Sequence, residues 1–247
     1  MLDRRLRFRS LWWAWSADVR AEALTQVLSN DEFYGVRAAA AMSLGDIATE
    51  KAKAALLSAL LQRNSRVRTA VAKALENFSN EQAVYTAIVN ALQNDSSYAV
   101  EAAAAKGLGK SDMAQAFDVL REEVAKKPEF HVMQGTLAGL VATKNPRAAE
   151  ILLAQAQPGV AERIRLTALT ALQSLREEVT PSQVPELIEV VRAALHDPFY
   201  LTQEAGEELV GVFDLTQFES DIQAEAQGAP MAMQPNLCTD FGERLKV

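Results

Sequence analysis

The chain repeats itself. The segments Val36-Arg37-Ala38-Ala39-Ala40-Ala41, Val67-Arg68-Thr69-Ala70-Val71-Ala72 and Val100-Glu101-Ala102-Ala103-Ala104-Ala105 are variants of one string, and weaker versions begin at Val132, Ile164 and Leu201. These anchors lie 31, 33, 32, 32 and 37 residues apart. Eight positions after each anchor stands a leucine: Leu44, Leu75, Leu108, Leu140, Leu172 and Leu209. A fixed period of this length marks a stack of supersecondary units, none of which can bury its apolar face alone.

Helical spacing explains the pattern within a unit. Two turns of helix take about 7.2 residues, so an anchor and the positions four and eight later share one face. The middle position is held by Ala40, Val71, Ala104, Thr136, Ala168 and Ala205, mostly small residues that let helices approach closely. A first helix precedes each anchor, with apolar residues twelve and eight positions upstream: Leu24 and Leu28, Ile88 and Leu92, Leu120 and Val124, Leu152 and Ala156. The turn inside each unit carries Asn30-Asp31, Asn64-Ser65, Asn94-Asp95, Pro128, Pro158-Gly159 or Asp197-Pro198. Such residues cap helix starts or are tolerated in a first turn. No run alternates with period two, so no strand competes. The expected fold is all-α, a right-handed α-solenoid of about six helix-turn-helix units.

A single solenoid over residues 3–225 is expected, with units near 18–46, 48–78, 80–110, 112–144, 146–176 and 182–214. Residues 3–15 read as an N-terminal half unit, 216–225 as an extra helix and 226–247 as a tail. The half unit holds all three tryptophans, and its Phe8, Trp12, Trp13 and Trp15 cannot all face one neighbour, because consecutive helical residues are about 100° apart. Part of this set is therefore expected to form a docking face. The neighbouring Arg4, Arg5, Arg7 and Arg9 would also suit an anionic membrane surface, but the segment is short and the chain acidic.

Composition narrows the function. With 49% hydrophobic residues the chain can pack a core. Its 25 basic and 32 acidic residues give a net charge of −7, which speaks against a general nucleic-acid binder. One cysteine, Cys238, excludes an internal disulfide or a multi-cysteine metal site, and nothing beside it activates a thiolate. No apolar run is long enough to span a membrane, and the first twenty residues do not form a secretory signal, so a cytoplasmic location is expected.

Catalytic signatures are missing. His131 and His196 stand in separate turns, 65 residues apart, and read as solvated or capping residues. Gly107 and Gly109 end a helix and do not form a phosphate loop. The neighbouring carboxylates Glu122-Glu123, Glu177-Glu178 and Glu207-Glu208 do not converge on one point and read as solvated faces. The expectation is no catalytic residue, no metal site and no cofactor. The Arg after the anchor (Arg37, Arg68, Arg165) is expected to bond to a turn Asp or Asn of its own or the next unit, with breaks at Glu101, Met133 and Thr202. A partner surface is placed on the second helices, around Arg37, Arg68, Lys73, Glu101 and Lys106.

The order Asp or Asn, Val-Arg, Ala-Ala, Leu-Gly, clearest from Asn30-Asp31 to Gly45 and from Asn94-Asp95 to Gly109, resembles the HEAT repeat family, specifically its short phycobilisome-lyase type. Asp31-Glu32-Phe33-Tyr34-Gly35-Val36-Arg37-Ala38 is similar to the Asp-x-Phe-Trp-Gly-Val-Arg-Ala motif that opens a HEAT repeat in the C-terminal region of bacterial aminopeptidase-N-family zinc enzymes. Asn94 to Ala104 and Pro158 to Leu169 also resemble repeats of that region. The resemblance covers residues 3–213, with Tyr34 where the family has Trp. It implies a non-catalytic protein-interaction module that packs on a peptidase domain and limits access to its cavity. The family's zinc-binding and exopeptidase motifs have no counterpart in this chain, so no catalytic role carries over. The alternative is a stand-alone HEAT adaptor or a phycobilin-lyase-like protein, holding a protein or a tetrapyrrole in its concave groove. The scarcity of aromatics and His in the second to fifth units speaks against the tetrapyrrole. A HEAT-type DNA glycosylase would need a basic concave face, which the net charge disfavours.

Overall fold

The structure of the protein is a computed structural model that describes residues 16–218. Every regular element among those residues is helical, with twelve α-helices and three short 3-10 turns. Two compact units divide the chain, and their described parts are residues 16–148 and 149–218. The first unit holds α1 (Ala17–Asn30), α2 (Tyr34–Ile47), α3 (Glu50–Ala59), α4 (Ser65–Ala74), α5 (Gln82–Asn94), α6 (Tyr98–Leu108), α7 (Ala116–Ala125) and α8 (Phe130–Ala142). The helix α9 (Arg147–Ala156) runs across the division, and the second unit continues with α10 (Glu162–Leu172), α11 (Val184–Leu195) and α12 (Tyr200–Val212).

Local chemistry sets the helix starts. Ser16 accepts a hydrogen bond from the Val19 amide at 3.4 Å, and Thr49 accepts one from Ala52 at 3.3 Å. The side-chain oxygen of Asn64 takes the amides of Arg66 and Val67 at 2.9 and 3.4 Å. A recurrent turn opens α2, α6 and α12, where Asp31, Asp95 and Asp197 accept from the amide two residues on at 2.8, 2.9 and 2.9 Å. Each of these bonds satisfies a donor that the turn or first helical turn would otherwise leave unpaired.

The helical phase is the one the repeat implies. All six small residues four positions after the anchors are buried, and so are all six leucines eight positions after them. The upstream residues Leu28, Ile88, Leu92, Leu120, Val124, Leu152 and Ala156 are buried as well. Each fully buried leucine contributes on the order of 2 kcal/mol of transfer free energy. Within the first unit, first and second helices pair, and the second helices α2, α4, α6 and α8 also pack on one another in succession. In the second unit α12 packs on α11 and on α10. The fold class is the expected α-solenoid type.

Two ways of joining successive second helices are visible in the first unit. Between α6 and α8 the backbones touch. A Cβ on Gly135 would lie 2.4 Å from the Ala102 carbonyl oxygen, one on Gly139 2.4 Å from that of Ala105, and one on Gly109 2.0 Å from that of Gly139. Between α4 and α6 the approach is looser, because a Cβ on Gly107 would meet the Glu76 side chain at 3.1 Å and backbone only at 3.9 Å.

One register is corrected. The first five anchors are each the third residue of their helix, but α12 begins at Tyr200, so its third residue is Thr202. Thr202 is buried at 1% relative exposure, whereas Leu201 is 56% exposed. Counting explains the slip: Val36 and Val100 lie five residues after Asp31 and Asp95, and five residues after Asp197 stands Thr202. Of the extra helix expected over 216–225, Thr216–Phe218 form one 3-10 turn. The rest of that helix, the tail 226–247 with Cys238, and the half unit 3–15 with Phe8, Trp12, Trp13 and Trp15 lie outside the described residues.

Candidate functional site

The arginine after the anchor ties turn to turn. The Arg68 Nη1 donates to the carbonyls of Gln62 and Arg63 at 2.8 and 3.0 Å, fastening its own turn. Its Nε and Nη2 reach the Asp95 carboxylate of the next turn at 2.8 and 2.7 Å. Both side chains are only 11% exposed. A two-pronged, charge-assisted contact of this kind is stronger than a surface ion pair. Arg37 repeats the design with a neutral partner. It donates to the Asp31 and Glu32 carbonyls at 2.5 and 3.1 Å and to Gln62 Oε1 at 3.1 Å. In the second unit Arg165 pairs with Asp197. Gln203 takes the own-turn role there, donating to the Asp197 carbonyl at 2.8 Å. Gln203, and not Thr202, is thus the structural counterpart of Arg37 and Arg68.

Glu101 stands where that arginine is replaced. It is partly buried, and burial is the first cause that raises its carboxyl pKa above the ordinary value. The negative charges of Glu123, Asp95 and Glu129 add to the rise. Lys73 and Lys106 are exposed, and both lie six residues after their anchors, so they occupy one register on successive second helices. Arg37 is half-buried and Arg68 buried, their guanidinium groups held by the turns. The five residues thus divide into two exposed lysines, two arginines that brace turns, and one glutamate among carboxylates.

A second surface was not read from the sequence. Tyr34, Tyr98 and Phe130 are the first residues of α2, α6 and α8, whereas α4 opens on Ser65 with Arg66 second. The side chains of Tyr34, Arg66, Tyr98 and Phe130 all end in a planar group, but Arg66 stands one residue before its anchor where the other three stand two before theirs. The Arg66 guanidinium lies 5.0 Å from the centroid of the Tyr34 ring and donates to its hydroxyl, so the first two positions touch. Phe33 lies against Tyr34 with 4.9 Å between ring centroids. Phe130 stands edge-on to His131 at 5.5 Å. Tyr98 is 56% exposed. The signal was an aromatic residue two places before the anchor in three of the units, interrupted by Ser65 in α4.

A third feature is an open groove on the first-helix side, between α1 and α3. Its walls include Thr25 and Ser29 from α1 and Ala55 and Ser58 from α3, with Arg63 and Leu61 at its turn end. Leu61 is 89% exposed. Small side chains on adjoining helices leave this space open.

Among the described residues no group of three or more His, Cys, Asp or Glu is placed to hold a metal ion. No described helix is long and apolar enough to cross a membrane.

Comparison with known proteins adds the family. A model of HEAT repeats matches residues 21–86 and 85–173, together more than half of the chain. No curated protein matches it. A designed armadillo repeat protein is 17% identical with a TM-score of 0.46, over 77% of this chain and 98% of its own. Human deoxyhypusine hydroxylase in complex with glycerol is 13% identical with a TM-score of 0.36, over 81% of this chain and 97% of its own. By its helix pairs, its repeat and the matched residues, the chain belongs to the HEAT repeat family.

Proposed function

We propose that this chain is a non-catalytic protein-interaction scaffold, and more narrowly a module that packs against a zinc aminopeptidase domain and limits access to its cavity. The scaffold reading rests chiefly on the exposed aromatic edge of the first unit, where Phe33 and Tyr98 stay open to solvent at the starts of second helices. Exposed aromatic side chains set on rigid elements are the usual anchors of protein interfaces. The narrower reading is supported by the string from Asp31 to Ala38. Its parts have separate jobs in this chain: Asp31 caps the turn, Gly35 leaves room for the Phe33 ring and Arg37 braces the carbonyls.

The test is to isolate the native product with an antibody against this chain and assay it for zinc and for release of N-terminal residues from peptides. The narrower reading expects both in the isolated material and neither in the recombinant chain alone. Isolated material without zinc or peptidase activity contradicts it and leaves a scaffold for other partners. Peptide hydrolysis by the pure recombinant chain contradicts the non-catalytic reading itself.

A further inference from the structure

We propose that residues 3–15 of this chain, which lie outside the described residues, dock on the open face of α2, with Arg4 paired to Asp31. The α2 face is what calls for an occupant. Val36 is 40% exposed, whereas its equivalents Val67, Val100 and Val132 are 0% exposed. Ala39, three places after its anchor, is exposed, while Ala103 and Gly135 at the same place are buried. For α8 the preceding second helix covers this face, with Gly135 against Ala102 and Gly139 against Ala105 of α6. Among the described residues no second helix precedes α2. The turns show the same contrast. Five places before the anchor, Gln62, Asp95 and Asp197 accept from Arg37, Arg68 and Arg165 of the unit before. Asp31 holds that place before Val36. Among the described residues its carboxylate accepts from the Phe33 amide and pairs with no cation.

The sequence before α1 meets both needs in one register. The cap Thr49 of α3 stands thirteen residues after Val36, and thirteen residues before the cap Ser16 stands Asp3. Asp3 takes the anchor place, where the other units carry Val, Ile or Thr. Arg4 follows it as Arg37 follows Val36, and Leu11 falls eight places on, like the six leucines. Arg4 lies 27 residues before Asp31, the same separation as Arg68 from Asp95. In α6 the residues five and nine after the anchor, Ala105 and Gly109, meet Gly139 of α8. The same places here are Phe8 and Trp12. In a helix Trp15 shares their face, while Trp13 is turned about 100° from Trp12. The places of α2 that they would meet are Ala39 and Ser43, so large rings face small residues. Burial of the rings against Val36 drives the contact, and the charge pair sets its register. The inference goes beyond the scaffold reading, since it withdraws Phe8, Trp12 and Trp15 from the surface offered to a partner.

All three tryptophans lie in this segment, so selectively excited tryptophan fluorescence of the whole chain reports on it alone. The expected result is emission to the blue of the urea-unfolded chain, with protection from acrylamide quenching. Ala39→Glu puts a charge on the open face and should shift the emission to the red and remove the protection. Ala83→Glu, at an exposed position of α5, should change neither. Circular dichroism of each variant confirms that its helices are intact. Denaturation midpoints test the charge pair. Asp31→Asn, which keeps the turn cap, should lower the midpoint less in an Arg4→Gln background than in the parent chain, because interacting residues do not add. Parent emission as red as that of the unfolded chain would overturn the inference. So would emission that Ala39→Glu leaves unmoved, and strictly additive losses would overturn the pairing of Arg4 with Asp31. Protection that grows with protein concentration would mean that a second copy covers the face, and would overturn it as well.

Discussion

The α4–α6 and α6–α8 joints of the first unit solve one problem differently. Each must hold two second helices side by side. At α4–α6 the work falls to Arg68, which spans from its own turn to the Asp95 carboxylate of the next. At α6–α8 the equivalent residue is Glu101, and the helices instead press backbone to backbone at Gly135 and Gly139. Small residues replace the charged brace, and dispersion contacts over a close approach replace hydrogen bonds. A repeat stack therefore tolerates loss of its ladder where its helices can come nearer. The two joints should fail differently: the first through charge and hydrogen bonding, the second through added volume.

The largest effect should come from volume. Gly139→Ala places a Cβ against the Ala105 carbonyl, which cannot swing away, and should cost about 3 kcal/mol or more in chemical denaturation. Gly107→Ala at the looser joint meets only the movable Glu76 side chain. It should be near neutral, because alanine also gains helix propensity of about 1 kcal/mol. Equal losses at both glycines would erase the contrast. Next comes charge. Arg68→Ala strips the partly buried Asp95 and two turn carbonyls of a donor and should cost about 2–4 kcal/mol. The corresponding change at Arg37, whose partner Gln62 is neutral, should cost less.

Two smaller effects should be gains. Thr202 occupies an anchor place held by valine in four other units, and its buried hydroxyl has no hydrogen-bond partner among the described residues. Thr202→Val should stabilise the protein by about 1 kcal/mol. A loss there would contradict the corrected register. Glu101 carries a raised pKa, so its folded form keeps a proton to higher pH than the unfolded chain does. As pH climbs past the ordinary value of 4.5, the unfolded state ionises first and stability falls. Glu101→Gln should therefore add about 0.5 kcal/mol at neutral pH. The gain should vanish in acid, below the ordinary carboxylate range, which a pH series of denaturation midpoints will show.

The fold could be read from the sequence because each unit spells its core twice, at four and eight positions after the anchor. That redundancy also caused the one slip. Leu201 and Leu209 reproduce the spacing by themselves, so the pattern looked complete one residue early. The turn residue Asp197 would have fixed the register, since capping geometry counts from it and hydrophobicity does not. The brace from Arg68 to Asp95 was foreseeable as a charge pair at repeat spacing. The use of Gln62 by Arg37 was not, because an amide carries no charge signal. The exposed Phe33 and Tyr98 escaped notice because apolar periodicity tracks what is buried. The groove between α1 and α3 follows from small residues whose sequence signature equals that of close packing. Phe8, Trp12, Trp13 and Trp15 remain an expectation, outside the described residues.

The central claim is that this chain works by holding another protein surface and not by chemistry of its own. Its size in its own cell extract, measured under native conditions, tests that most directly. The account predicts that it runs in a species well above 26.9 kDa, as part of a longer polypeptide or bound to a partner. A native species of 26.9 kDa, alone at physiological concentration, would contradict it.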